Sequence, residues 1–242
     1  MTKRATSLPE LFELMAPMFA GEREAYGTFQ PRSTDVIISP FAKCGTTWLQ
    51  QIVHGLRTGG DMDFTDIYEV VPWFDVAPVL GMDLNADQRA TPRAFKSHKG
   101  WNDVPRGCRY IVSFRDPKDA VVSFYRFMEG WFLEPGAIPL DEFVAQRMFD
   151  LDQQDTYWTH ASSWLSQRDN PDVLLLTFED MKDNLRGVVH RIARFLDLDD
   201  DPRIDVAVEH ATFEFMSTHD EPFSEPLLRE WVEENVGIPA DS

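Results

Sequence analysis

Apolar runs rich in β-branched residues alternate along the 242-residue chain with stretches whose hydrophobic positions recur at helical spacing. That alternation predicts a parallel sheet with helices packed on its faces. Residues 35–39 read as a buried strand, followed by a short glycine-containing turn and a helix. In that helix Trp48, Leu49, Ile52, Val53 and Leu56 share a face, and Gly59-Gly60 stop it. Residues 109–114 read as a second strand, after which Asp116 suits an N-cap and Pro117 a first helical position. Residues 173–178 form a third strand, ahead of one helix with Val188, Ile192 and Phe195 on one side. Lys96 and His98 fall on a further short strand, where alternation puts them on the same face. No repeat, low-complexity tract or Gly/Ser/Pro-rich linker divides the sequence, so residues 1–242 are read as a single α/β domain.

Composition narrows the function classes. Hydrophobic residues at 43% and charged residues at 26% are ordinary globular values and exclude a disordered or collagenous chain. The balance of 23 Lys+Arg against 41 Asp+Glu leaves −18, so the surface repels nucleic acid and anionic membranes; neither is an expected partner. Glu10, Glu13 and Pro17 break the N-terminal apolar stretch, which leaves no signal-peptide core. No later run approaches the ~18 apolar residues of a membrane span. Cys44 and Cys108 are too few for a disulfide framework. Together these point to a soluble, cytoplasmic protein in a reducing compartment. Composition carries no signal for an oligomeric state.

Charge is distributed unevenly. Arg89 to Arg126 holds nine Lys/Arg and three Asp/Glu, a basic island of +6 inside an acidic molecule. From Asp197 onward there are two Lys/Arg and fourteen Asp/Glu, read as a solvated acidic surface rather than an anion site. The island overlaps the strand-to-helix turns, where backbone N–H groups are unpaired. In the loop of residues 39–48, Gly45 permits close approach, and Lys43, Thr46 and Thr47 add charge and donors for a phosphate or sulfate. It is not a Walker A loop, because Lys43 precedes the glycine instead of following it. Arg115, at the end of the next strand, suits a second phosphate with help from Ser123. His98, beside Lys96, is held neutral and so able to accept a proton. The histidines show no metal-ligand spacing, so no metal site is expected.

In this order the segments FAKCGTTW, RAFKSHKG, IVSFRDPKDAVVSFYRF, TFEDMK and Ala211-Thr-Phe-Glu-Phe-Met216 resemble the motifs of the soluble sulfotransferases that use 3′-phosphoadenosine 5′-phosphosulfate (PAPS). The resemblance spans residues 35–216 and implies a P-loop-like three-layer fold, a central parallel sheet flanked by helices. It also implies PAPS as donor, 3′-phosphoadenosine 5′-phosphate (PAP) as product, no metal, and a small, aromatic-bearing hydroxyl or amine acceptor. By resemblance, the loop of Lys43, Cys44, Gly45, Thr46 and Thr47 holds the 5′-phosphosulfate, and Trp48 and Phe213 flank adenine. Thr212 and Phe178 border the base, Arg115 and Ser123 grip the 3′-phosphate, His98 is the general base and Lys96 its charged companion. Aromatic segments 71–74, 125–127 and 131–132 are candidate acceptor contacts.

Three departures stand out. Cys44 replaces the family's serine at a helix start that could lower its pKa; an inert packed thiol is favoured over a redox-sensitive one. Phe178 replaces a tyrosine. The C-terminal segment RKGxxGxW, which completes the 3′-phosphate site in the family, has no counterpart after Met216, with truncation favoured over replacement. The competing readings are a nucleotide-binding pseudoenzyme with the same fold and, less well supported, a P-loop kinase.

Overall fold

The computed structural model of the protein describes residues 4–149 and 156–240. In chain order the elements are α1 (Leu8–Met15), α2 (Glu22–Thr28), β1 (Val36–Ile38), α3 (Thr46–Thr58), α4 (Ile67–Val70), β2 (Ala94–Lys96), β3 (Arg109–Phe114) and α5 (Pro117–Trp131). There follow α6 (Leu140–Phe149), α7 (Tyr157–Leu165), β4 (Val173–Thr177), α8 (Phe178–Asp183), α9 (Leu185–Phe195), α10 (Asp201–His210), α11 (Phe213–Thr218) and α12 (Pro226–Val236).

Four parallel strands lie in the order β2-β1-β3-β4. Strand alternation divides the core into two layers. Ile37 pairs in register with Phe95 and Tyr110, and this row packs with Phe74 and Trp164 on one face. Val36, Ile38 and Ile111 join Leu49, Ile52, Val53 and Leu56 of α3 on the other. At the amino ends of β1 and β2 a buried pair locks the strands: Arg93 donates to Asp35 at 2.6 and 3.0 Å. The chain moves from β1 outward to β2 and then returns to the opposite side as β3. The crevice beyond the carboxyl ends of β1 and β3 is therefore the switch point at which open α/β sheets bind ligands.

Besides a one-residue shortening of β1 at each end, the elements differ from the sequence reading in three places. Phe178 is not the end of a strand but the first residue of α8, because the Thr177 side chain caps that helix by accepting from Asp180 N–H at 3.0 Å. The single helix expected after β4 is two, broken at Asn184, whose side chain leaves α8 to cap α9 at Gly187. Strand β2 ends at Lys96, so His98 lies beyond it, and strand alternation does not set its direction. No helix among the described residues is long and apolar enough to cross a membrane.

Candidate active site

The turn after β1 is built to expose N–H groups. Lys43 and Gly45 both take positive φ, 65° and 94°, with Cys44 between them. Glycine is required at position 45, since a Cβ there would stand 3.0 Å from the Phe178 ring. Gly45 caps α3 without a side chain, so the first-turn N–H groups keep no intrahelical partner. The hydroxyl of Thr46 is buried and has no hydrogen-bond partner among the described residues. The loop's carbonyls are drawn away: Ser113 donates its hydroxyl to Cys44 O, and Arg115 Nη1 donates to Lys43 O at 3.0 Å. Donors on one side and tied carbonyls on the other make an anion cradle.

Cys44 contributes backbone only. Its side chain is fully buried, with Sγ 3.8 Å from Ala42 O. Burial pushes the thiol up to about 12, the opposite of the lowering that a helix start could give, because loss of water outweighs the nearby Arg115 charge.

The second corner is Arg115 and Ser123. Arg115 stacks its guanidinium 4.5 Å from the Phe178 ring, and its backbone carbonyl accepts from Tyr157 Oη at 2.7 Å. Trp48 meets the Phe178 ring edge-on at 5.6 Å and donates Nε1–H to Ala211 O at 2.6 Å. That bond ties the start of α11 to the loop.

His98 lines the same cavity as these corners. Its Nδ1–H donates to Pro40 O at 2.8 Å, which fixes Nε2 as the proton-accepting nitrogen. Burial and then the Lys96 charge lower its pKa to about 3, so the ring is neutral at pH 7. Lys96 is buried, 4.0 Å from the Trp73 ring centroid, and donates to Tyr68 Oη at 2.7 Å and to Glu225 Oε1 at 3.1 Å. Burial, with Lys96 and Arg115 opposing Glu225, lowers the Lys43 pKa; its Nζ lies 4.3 Å from the Phe127 ring.

One cavity of about 610 Å³ collects Lys43, Gly45, Thr46, Thr47, Trp48, Lys96, His98, Arg115, Ser123 and Phe178. The sequence matches the family described as Sulfotransferase domain over residues 33–234. The chain is a member of the sulfotransferase family. Sulfotransferase 1B1 of Canis lupus familiaris is 31% identical over 213 residues, covering 82% of this chain and 71% of the relative. Luciferin sulfotransferase of Photinus pyralis is 30% identical over 233 residues, covering 81% of this chain and 60% of the relative. The crystal structure of retinol dehydratase in complex with androsterone and inactive cofactor PAP superposes with a TM-score of 0.66 at 19% identity, covering 89% of this chain and 83% of that one, which shows the shared fold.

The sulfotransferase cavity fits an anionic nucleotide on its own geometry: an uncapped helix start, a buried unpartnered Thr46 hydroxyl and two cationic corners. Three of the sequence-derived residues stand apart from it: Cys44, whose side chain is buried behind the loop, Thr212 and Phe213. Thr212 caps α11 by accepting from Phe215 N–H at 3.2 Å, and Phe213 is 86% exposed; neither lines the cavity. Of the aromatic acceptor candidates, Trp73, Phe127, Trp131 and Phe132 do line it, whereas Phe74 is fully buried in the opposite core layer. Among the described residues no group of three or more His, Cys, Asp or Glu is placed to hold a metal.

Sequence reasoning missed several lining residues. Part of the apolar wall comes from Leu11, Met15, Met18 and Phe19 of the N-terminal segment, which carries no motif. Glu22, Asp75 and Lys99 form an ion cluster on the same wall, with Lys99 2.6 Å from Glu22 and 3.8 Å from Asp75. Glu225 emerges from the acidic tail that read as solvated surface, yet its side chain is only 17% exposed. No pattern in the sequence marks it, because its burial depends on a contact 129 residues away.

Proposed function

We propose that this sulfotransferase moves the sulfuryl group of PAPS onto the hydroxyl or amine of a small, apolar, aromatic-bearing acceptor. What carries the reading is the single cavity in which the β1 loop, Arg115 with Ser123, and the His98 imidazole meet apolar walls. The donor supplies an activated sulfuryl group, and, as in phosphoryl transfer, positioning and charge stabilisation are the protein's main tasks. Lys43 and the loop N–H groups hold the 5′-phosphosulfate and balance charge growing on the leaving oxygen. Arg115 and Ser123 hold the 3′-phosphate, which anchors the nucleotide so that its binding energy orients the reacting end. Trp48 and Phe178 border the adenine within the cavity, and Thr212 and the exposed Phe213 ring flank it from outside the cavity lining. His98 Nε2 takes the acceptor proton, with Lys96 beside it.

The acceptor occupies the chamber walled by Leu11, Met15, Phe19, Trp73, Phe127 and Trp131. Its walls are largely apolar with the Glu22, Asp75 and Lys99 cluster on one of them, so shape, burial and charge all select the acceptor. The free, buried state of Cys44 and Cys108 supports a reducing, cytoplasmic setting. The test is purified protein with sulfur-labelled PAPS and a panel of phenols, run with and without chelator. Transfer that survives chelator and falls ~10²–10⁴-fold in His98→Ala supports the proposal. Nucleotide binding with no transfer to any acceptor overturns it.

A further inference from the structure

Glu225 is unlike the other acids of the C-terminal region. It is the residue before α12 and takes φ 63°, ψ 47°, a left-handed conformation that costs energy for a side chain with a Cβ. It lines the cavity together with Lys43, Lys96 and His98. Tyr68 Oη donates to it at 2.5 Å and Lys96 Nζ at 3.1 Å, while Lys96 also donates to Tyr68, closing a triangle. Asp66 holds this triangle from behind. One of its oxygens accepts Tyr68 N–H at 2.7 Å and the other accepts Leu227 N–H at 2.9 Å, so α4 and the start of α12 are fixed together. Although burial opposes ionisation, Lys96, Tyr68 and Lys43 keep the Glu225 carboxyl below its usual range, so it is an anion at neutral pH.

The consequence concerns Lys96. Its ammonium is already engaged by Glu225, the Tyr68 hydroxyl and the Trp73 face. An arriving sulfonate presents the same chemistry as the carboxylate, an anionic oxygen seeking N–H donors, in the same cluster of cations. Two anions there compete for one ammonium and repel each other.

We infer that Glu225 is an internal competitor of the donor's sulfonate for Lys96, and thereby sets the discrimination between PAPS and PAP. This rests on the proposed donor site. PAP has no sulfonate, so Glu225 opposes PAPS more strongly than PAP. After transfer, Glu225 retakes Lys96 and drives the sulfated product away from it. The residue thus trades donor affinity for release.

Calorimetric titration of PAPS and PAP without acceptor, on the full chain, tests this. Glu225→Gln keeps size and hydrogen-bonding capacity but removes the charge; it is expected to lower the ratio Kd(PAPS)/Kd(PAP) at least about tenfold, which corresponds to ~1.4 kcal/mol. Glu225→Asp retains the charge and is expected to keep the ratio within about twofold of the parent. A purely structural role for the ion pair moves both affinities together, so an unchanged ratio in Glu225→Gln overturns the inference while leaving the donor site standing. A parent protein that binds neither nucleotide overturns both.

Discussion

The protonation of His98 is the sharpest consequence of the site's geometry. An imidazole with its pKa at about 3 instead of 6.5 favours the neutral ring by about 5 kcal/mol over the same ring in water. Two causes add: the ring is partly withdrawn from solvent, and the buried Lys96 ammonium repels a second positive charge. The perturbation that separates them is Lys96→Met, which keeps the aliphatic stem and deletes the charge. Proton NMR titration of the imidazole, with its resonance assigned by its loss in His98→Gln, reads the result without any nucleotide present. The parent ring is expected to stay neutral from pH 8 down to about 4.5, far below an ordinary histidine. In Lys96→Met its midpoint moves upward but remains below 6.5, because burial persists. Saturating PAPS also moves it upward, since the sulfonate offsets Lys96, so donor binding brings the base toward its working range. A parent midpoint between 6 and 7 refutes the reasoning about both burial and Lys96.

Arg115→Ala is expected to weaken PAP binding ~10–100-fold by calorimetry, the size of a charge-assisted contact, and an unchanged affinity would remove Arg115 from the nucleotide site. With its thiol buried and pushed up to about 12, Cys44 is expected to resist alkylation of the native protein at pH 8, and Cys44→Ser to retain activity; rapid labelling at Cys44 contradicts its packing. Stability against pH reflects opposing groups. His54 is lowered to about 4 by burial and Arg57, so it takes up a proton only on unfolding, and stability falls as pH drops from 6.5 toward 4. Asp66 is raised to about 6 by burial, so the folded state takes its proton first and gains stability as pH drops through 6 toward 3.8. Asp66→Asn is therefore expected to steepen the acid loss by ~1.4 kcal/mol per pH unit between pH 6 and 4 in urea unfolding. Parallel slopes for the two proteins would show that Asp66 titrates normally.

Local sequence was enough for the elements that carry their own signal. The helix α5 starts where Asp116 and Pro117 say it should, with Asp116 accepting from Lys118 N–H, because capping is decided by the residues at the cap itself. The helix α3 ends at Gly59, which takes φ 74°. The same locality explains the Lys43–Trp48 turn and Arg115, each placed by the strand that ends just before it. Boundaries went astray where two local signals competed. Thr177 and Asn184 are strong caps sitting inside stretches whose apolar pattern runs on, and the side-chain cap overrode the periodicity.

What the sequence by itself determined is the parallel α/β layering, the anion cradle after β1 and the residue types at both cationic corners, since those depend on neighbours along the chain. Tertiary structure alone decided which groups become coupled in one enclosed space. The low pKa of His98 requires burial beside Lys96, the apolar chamber requires α1 to bring Leu11 and Met15 to the cavity, and the Glu225 anion requires α12 to return against α4. Desolvation and charge coupling act through space over a few ångströms, and no spacing in a one-dimensional sequence encodes that distance.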